Sequence, residues 1–339
     1  MLDELAAAGR TVVDRIREFD LISLWAATTE REIQREAFQR DIGFLRRLLP
    51  LMELMGRYFD AEVQGLEHLP ARGPVLLVGN HSGGTLTPDT SAVFAAWYRH
   101  FGLERPLIGL AFSAAFGIPG FRTLMRKIGE VPASRANASQ ALEAGHGVLV
   151  YPGGDHEVFR PWTERNRIDF GGRTGFIEMA LRQRVPVVPV VSHGGHDATL
   201  ILTRGEWISR WFGMERIRTR AFPIALQLPW GLSSAALPGI PLPAKITIRM
   251  LPPMRWSSYP KRAADDPKVV RRCYREITGL MQATLTALAA ERPYPVLSRL
   301  ASLTSAPAAT PRAAEVPLRR RRASGRTATS QRRKRAARR

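Results

Sequence analysis

The sequence predicts an α/β fold: a mixed sheet flanked by helices, with an N-terminal helical segment before it and a disordered basic C-terminal tail after it. Three observations predict it. Short apolar runs alternate with helical stretches between residues 61 and 260, the pattern of a layered sheet-and-helix core. Residues 1–60 repeat their apolar side chains at helical spacing, and residues 293–339 are dominated by Ala, Pro, Ser, Thr and Arg.

In residues 1–60, Leu5, Val12, Ile16 and Phe19 share one helical face, as do Phe38, Ile42, Leu45, Leu49, Met52 and Met55. Arg40, Arg46, Arg47 and Arg57 make the second stretch a basic amphipathic helix, interrupted or kinked at Pro50. Packing on the body is its first reading; docking on an anionic membrane is its second. Residues 61–292 are the expected catalytic domain. Its buried strands are expected at 74–78, 148–151 and 185–191. Helices are expected around 91–101, 119–127, 136–144 with Gly145 as a stop, and 173–183. A strand at 245–250 and a helix at 266–292 close the domain. Residues 293–339 hold too few large apolar side chains to offset the entropy of ordering, so disorder is expected there.

The chain has 339 residues, 50 Lys and Arg against 30 Asp and Glu, and a net charge of +20. From Arg312 onward there are 12 basic residues and one acid, so the last 28 residues hold +11 and the preceding 311 hold +9. The excess therefore belongs mostly to the tail. Basic arms attract nucleic acid without reading bases. Few aromatics interleave with Arg319 to Arg322 or Arg332 to Arg335, so the stacking used by single-strand binders is missing. An anionic membrane surface, at ~1 kcal/mol per basic residue that reaches it, and a functionally quiet extension both rank above nucleic acid.

A lone cysteine, Cys273, permits no intramolecular disulfide and no Cys-based zinc site, which points to a reducing compartment. Asp3 and Glu4 stand where a secretory leader would be basic, which argues against export. Residues 221–244 carry no charge over 24 positions. Their prolines, at 223, 229, 238, 241 and 243, would leave backbone carbonyls unpaired in a lipid-exposed helix. This stretch is expected to be an apolar surface or core segment that can lie against a membrane.

Two loops follow predicted strands and carry titratable groups. In Val78-Gly-Asn-His-Ser-Gly-Gly-Thr-Leu-Thr-Pro-Asp89, seven residues separate His81 from Asp89. In a straight helix the two would stand ~12 Å apart, but Gly83-Gly84 lets the chain fold back. A His held by a carboxylate is a general base poised near neutral pH. The competing reading has Thr87 as N-cap, Pro88 at the first helical position and Asp89 merely capping. The second loop, Tyr151-Pro-Gly-Gly-Asp-His-Glu157 with Arg160, offers amides for an oxyanion or phosphate, and His156 and Glu157 as titratable groups. Of the remaining groups, Arg167, Arg173 and Gly175 suit either an anion or solvent. His193-Gly-Gly-His-Asp197 reads as a polar loop rather than a metal site, and His68, His100 and His146 as structural or exposed.

The order of these segments, over roughly residues 58–254, resembles the glycerolipid and lysophospholipid acyltransferases with a His-x4-Asp block. Asn80-His81 through Asp89 is similar to the first block and Gly129-Glu-Val-Pro-Ala-Ser-Arg135 to the second. Tyr151-Pro-Gly-Gly154 is similar to the third, and Val185-Pro-Val-Val-Pro-Val190 to the fourth. The resemblance implies that His81 is the catalytic base, Asp89 its partner and Arg135 a contact for the acceptor's head. Gly153, Gly154, His156, Glu157 and Arg173 are then candidate substrate contacts, and Gly83 and Gly84 candidate oxyanion donors. It implies no metal and no cofactor. Acyl-CoA or acyl carrier protein would be co-substrate, a glycerolipid or lysophospholipid hydroxyl the acceptor, and the cytoplasmic face of the cell membrane the place of work.

Two departures matter. Seven residues, not four, separate His81 from Asp89, and Gly153 and His156 stand where the family's Glu and Arg serve a phosphate-bearing acceptor. The Pro-Gly-Gly-x-x-Glu form looks like the diacylglycerol and phytyl ester branch, whose acceptors are neutral. A thioester hydrolase, using the same base on water, is a third class.

Overall fold

The computed structural model describes residues 38, 40–113, 116, 120–211, 222–237 and 239–304. The helix expected around residues 5–19 and the tail from residue 305 lie outside them. The chain enters on α1 (Ile42–Tyr58), capped by Asp41, whose carboxylate accepts the Phe44 amide proton at 2.8 Å. It runs through Pro50 without interruption, because Leu45 before the proline and Met52 after it bury in one core.

The central sheet holds seven strands. In chain order they are β1 (Glu62–Gln64), β2 (Val75–Gly79), β3 (Leu107–Ala111), β4 (Glu130–Pro132), β5 (Gly147–Val150), β6 (Val187–His193) and, much later, β10 (Thr247–Met250). Their spatial order is β1-β10-β6-β2-β5-β3-β4. β6, β2, β5, β3 and β4 run parallel, whereas β10 is antiparallel to β6 and carries β1 parallel to itself. The carboxyl ends of five strands therefore open on one edge, where open α/β sheets bind ligands. β1, β3 and β4 went unread in the sequence; the first and last are three-residue strands too short to show a period.

The helices of the crossovers are α2 (Pro88–Phe101), α3 (Phe121–Ile128), α4 (Arg135–Glu143), the single turn α5 (Asp155–Val158) and α6 (Gly175–Gln183). Alternate strand residues feed two cores, as the period of two requires. Val75 and Leu77 pack with Phe94, Trp97 and Met125 on one face, and Leu76 and Val78 pack with Ala138, Ile177 and Met281 on the other.

Past β6 the chain makes α7 (Gly195–Ala198), β7 (Leu200–Thr203), α8 (Glu206–Trp211), β8 (Ile224–Gln227) and β9 (Gly231–Ser234). β7, β8 and β9 form a separate antiparallel sheet. The uncharged stretch of residues 221–244 thus contains a hairpin. The long α9 (Pro267–Glu291) covers the second core. One expectation is corrected: residues 295–304 form α10 (Pro295–Thr304) rather than starting a disordered tail. Pro295 is buried and its carbonyl accepts the Lys245 amide proton at 3.0 Å, an anchor that the local composition does not display.

Candidate active site

His81 stands at the carboxyl end of β2, and its position is set by its neighbours. The Asn80 amide donates to the Ser192 carbonyl and accepts the Ser192 amide proton, both at 2.8 Å, which fastens the strand end to β6. Ser82 then leads into Gly83 and Gly84, at φ of 89° and 64°. A Cβ on Gly83 would sit 2.5 Å from Pro88 Cδ, so glycine alone permits this return. A 3-10 turn over Gly84–Leu86 completes it.

The reversal brings Asp89, in the first turn of α2, back to the strand end. Its Oδ2 lies 3.2 Å from His81 Nδ1 and accepts the Ser82 amide proton at 2.8 Å, while Oδ1 accepts that of Thr90 at 2.7 Å. Asp89 is 1% exposed. Thr87 does stand at the N-cap position, but at φ 40° its side chain makes no capping hydrogen bond. Pro88 does begin the helix.

Behind His81, the Tyr151 ring stacks at 4.1 Å and 11°. Gly79 makes room for it, since a Cβ there would meet the ring at 2.6 Å. Glu157 supports His81 from its backbone side. Its Oε2 accepts the His81 amide proton at 3.3 Å and its Oε1 accepts from Arg160 at 3.2 Å. Both side chains are 1% exposed. Burial pushes the Glu157 carboxyl upward and the Arg160 charge pulls it back. Glu157 as a substrate contact is therefore corrected: it is a buried brace, and Gly153 exists to admit it, because a Cβ there would fall 2.2 Å from Glu157 Cγ.

The other candidates are engaged with protein partners. The Gly154 amide donates to the Tyr151 carbonyl at 3.0 Å, which removes it as an oxyanion donor. Arg173 donates to the carbonyls of Pro152 and Gly153, at 3.2 and 2.7 Å, and pairs with Asp155 at 2.8 Å. Arg135 faces Glu178 at 2.9 Å, and His156 faces Asp169 at 3.2 Å. Gly83 and Gly84 are buried in the loop that follows His81.

Two groups near His81 went unnoticed in the sequence as members of its site. Glu130 lies across the β3–β4 ladder from Gly109, and burial, opposed by His81, lifts its pKa to about 7. His196, on α7 against Ser82, is held near 3 by burial and by Arg160, with Asp89 acting the other way. The polar-loop reading of residues 193–197 is corrected, since His193, His196 and Asp197 are all buried. Only the folding of β6 against β2 places them there. Among the described residues, no group of three His, Cys, Asp or Glu could hold a metal ion.

Residues 60–193 match the Acyltransferase family model. An uncharacterized protein of Mycobacterium leprae is 28% identical over 86% of this chain and 83% of its own length. The "DGAT1/2-independent enzyme synthesizing storage lipids" of Bos taurus is 28% identical over 56% of this chain and 55% of its own. "Phytyl ester synthase 1, chloroplastic" of Arabidopsis thaliana is 27% identical over 54% of this chain and 26% of its own. The chain thus spans about half of the bovine relative and about a quarter of the plant one.

Proposed function

From an acyltransferase-family domain at residues 60–193, we propose that this chain moves a fatty acyl group from a coenzyme A or carrier-protein thioester to an uncharged lipid hydroxyl, such as that of diacylglycerol or a long-chain alcohol. The pairing of His81 with a buried Asp89 carries the reading. With its Nδ1 proton donated to Asp89, the ring keeps the Nε2 lone pair for the acceptor. Nε2 takes the hydroxyl proton and the oxygen attacks the thioester carbonyl. The amides of Gly83 and Gly84, in the His81 loop, are the proposed backbone donors for the oxyanion. Collapse expels the thiolate, which recovers the proton from His81; a thiol with pKa near 8.5 needs little help to leave.

The choice of an uncharged acceptor rests on charge pairing: Arg135, Arg160 and Arg173 each already face an acid. The names of the bovine and plant relatives, which concern storage lipids and phytyl esters, support the same choice. A lysophospholipid acceptor is the second reading, favoured by the exposure of Arg135, whose guanidinium a phosphate can recruit.

The test is radiolabelled acyl transfer by purified protein to diacylglycerol, phytol, lysophosphatidate and lysophospholipid. Neutral acceptors are expected to lead; preference for lysophosphatidate would overturn the acceptor assignment. His81→Ala is expected to lower transfer by at least ~10²-fold with an unchanged circular dichroism spectrum. Near-full activity would sink the mechanism, and acyl release without an acceptor would reveal a hydrolase.

A further inference from the structure

The second sheet carries a face that the described fold leaves open. An antiparallel sheet packed on one side normally turns polar side chains to water on the other. Here the pattern is different. Ile201 and Ala225 are buried on the inner side, while Leu202, Leu226 and Leu232 are each at least half exposed on the outer. Leu226 and Leu232 pair directly across the strands, and Leu228 bridges to Ile240 just beyond, extending the apolar row. Trp207 and Trp211 of α8, the helix that follows β7 in the chain, and Trp230 of the β8–β9 turn are exposed as well.

The surface continues past the sheet. Tyr58 at the end of α1 donates to the Pro241 carbonyl at 2.6 Å, next to exposed Ile240 and Leu242. Arg299 of α10 donates to the carbonyls of Tyr58 and Arg57, at 2.9 and 2.7 Å. Both helices add exposed leucines at helical spacing, Leu51 and Leu54 on α1 and Leu297, Leu300 and Leu303 on α10. The face also adjoins the site. Thr85, in the His81 loop, donates to the Ala235 carbonyl at 2.8 Å, and Leu86 beside it is exposed.

We propose that this face seats on an anionic lipid bilayer and turns the His81 crevice toward it. Charge separates the bilayer from other occupants. Between β7 and β8 the sequence holds Arg204, Arg210, Arg216, Arg218 and Arg220 against two acids, Glu206 and Glu215. The chain carries +20 overall. A second copy would bring like charges together, whereas anionic headgroups neutralise them. Exposed tryptophans and leucines in a strongly basic chain are the composition of a surface that lies in a lipid interface. No described helix is long and apolar enough to cross a membrane, and the proposed contact is one of lying on the bilayer. Only the orientation of the crevice rests on the proposed lipid chemistry; the docking does not.

The test combines Trp207→Ala, Leu226→Ser and Leu232→Ser in the full chain, all at exposed positions. Sedimentation with phosphatidylcholine–phosphatidylglycerol vesicles is expected to show at least a tenfold loss of binding. Transfer to a short-chain acceptor dispersed in solution is expected to stay unchanged. Undiminished vesicle binding overturns the proposal. So does a wild-type dimer that the substitutions dissociate without affecting vesicle binding. Should the triple variant misfold, the wild-type protein decides: its tryptophan fluorescence is expected to be quenched by brominated lipid, and absence of quenching overturns the docking. If His81→Ala leaves transfer intact while vesicle binding still depends on this face, the enzymatic reading fails and the docking stands.

Discussion

Asp89 shows how one carboxylate can serve both local structure and chemistry. It receives the amide protons of Ser82 and Thr90 and still presents Oδ2 to His81. The two backbone donors hold it in place, so it orients the imidazole without a rearrangement during reaction. His196 nearby has the opposite character. Its burial favours the neutral ring, with a pKa near 3 when folded against about 6.5 when unfolded. As pH falls below 6.5 the unfolded chain binds a proton that the folded one refuses, so stability present at neutral pH is lost toward acid. Between pH 6.5 and 5 this single group is expected to cost about 2 kcal/mol. Thermal melts of His196→Gln across that range should show a flatter acid slope than wild type. Glu130, raised to about 7, acts in the reverse direction, so the difference between the two proteins is the quantity to read.

At the scale of elements, β2 and β5 make the site by standing side by side, with Val78 opposite Val150. The next residues are Gly79 and Tyr151, and the glycine is what lets the Tyr151 ring lie on His81. Gly79→Ala is expected to push the ring off the imidazole. A displacement of about 1 Å in a catalytic group can cost up to ~10²-fold. We expect kcat to fall at least about tenfold, with a modest loss in melting temperature. A lower melting temperature at unchanged kcat would make Tyr151 a packing residue only. The same pair of loops explains the unusual His–Asp spacing. Three extra residues are absorbed by two glycines at positive φ and a 3-10 turn, so the longer block still closes.

For the molecule as a whole, charge and apolar surface are segregated in sequence. Removing residues 312–339 takes away +11 of the +20 and none of the residues that surround His81. The truncated chain is expected to transfer acyl groups to dispersed acceptors at the full rate. Its binding to anionic vesicles should weaken at least about tenfold and become less sensitive to salt. The remaining, less salt-sensitive binding is the share assigned to the face of β7, β8 and β9. Vesicle sedimentation at two ionic strengths separates the two contributions, and unchanged binding would leave the tail without a lipid role.

The sequence by itself determined the alternation of strands and helices, the two glycine-rich loops at strand ends, and His81 with Asp89 as the pair to watch. Those features are local, because a buried parallel strand must be an apolar run and a tight return needs glycine. Tertiary structure alone decided the rest. Glu157 is a brace rather than a contact because Arg160 and the His81 amide meet it in the interior. Glu130 and His196 join the site because β4 and β6 are brought into one sheet with β2. The outward leucines of the small sheet became visible only once pairing fixed which side faced the core, since a strand's alternation is the same whichever side is buried.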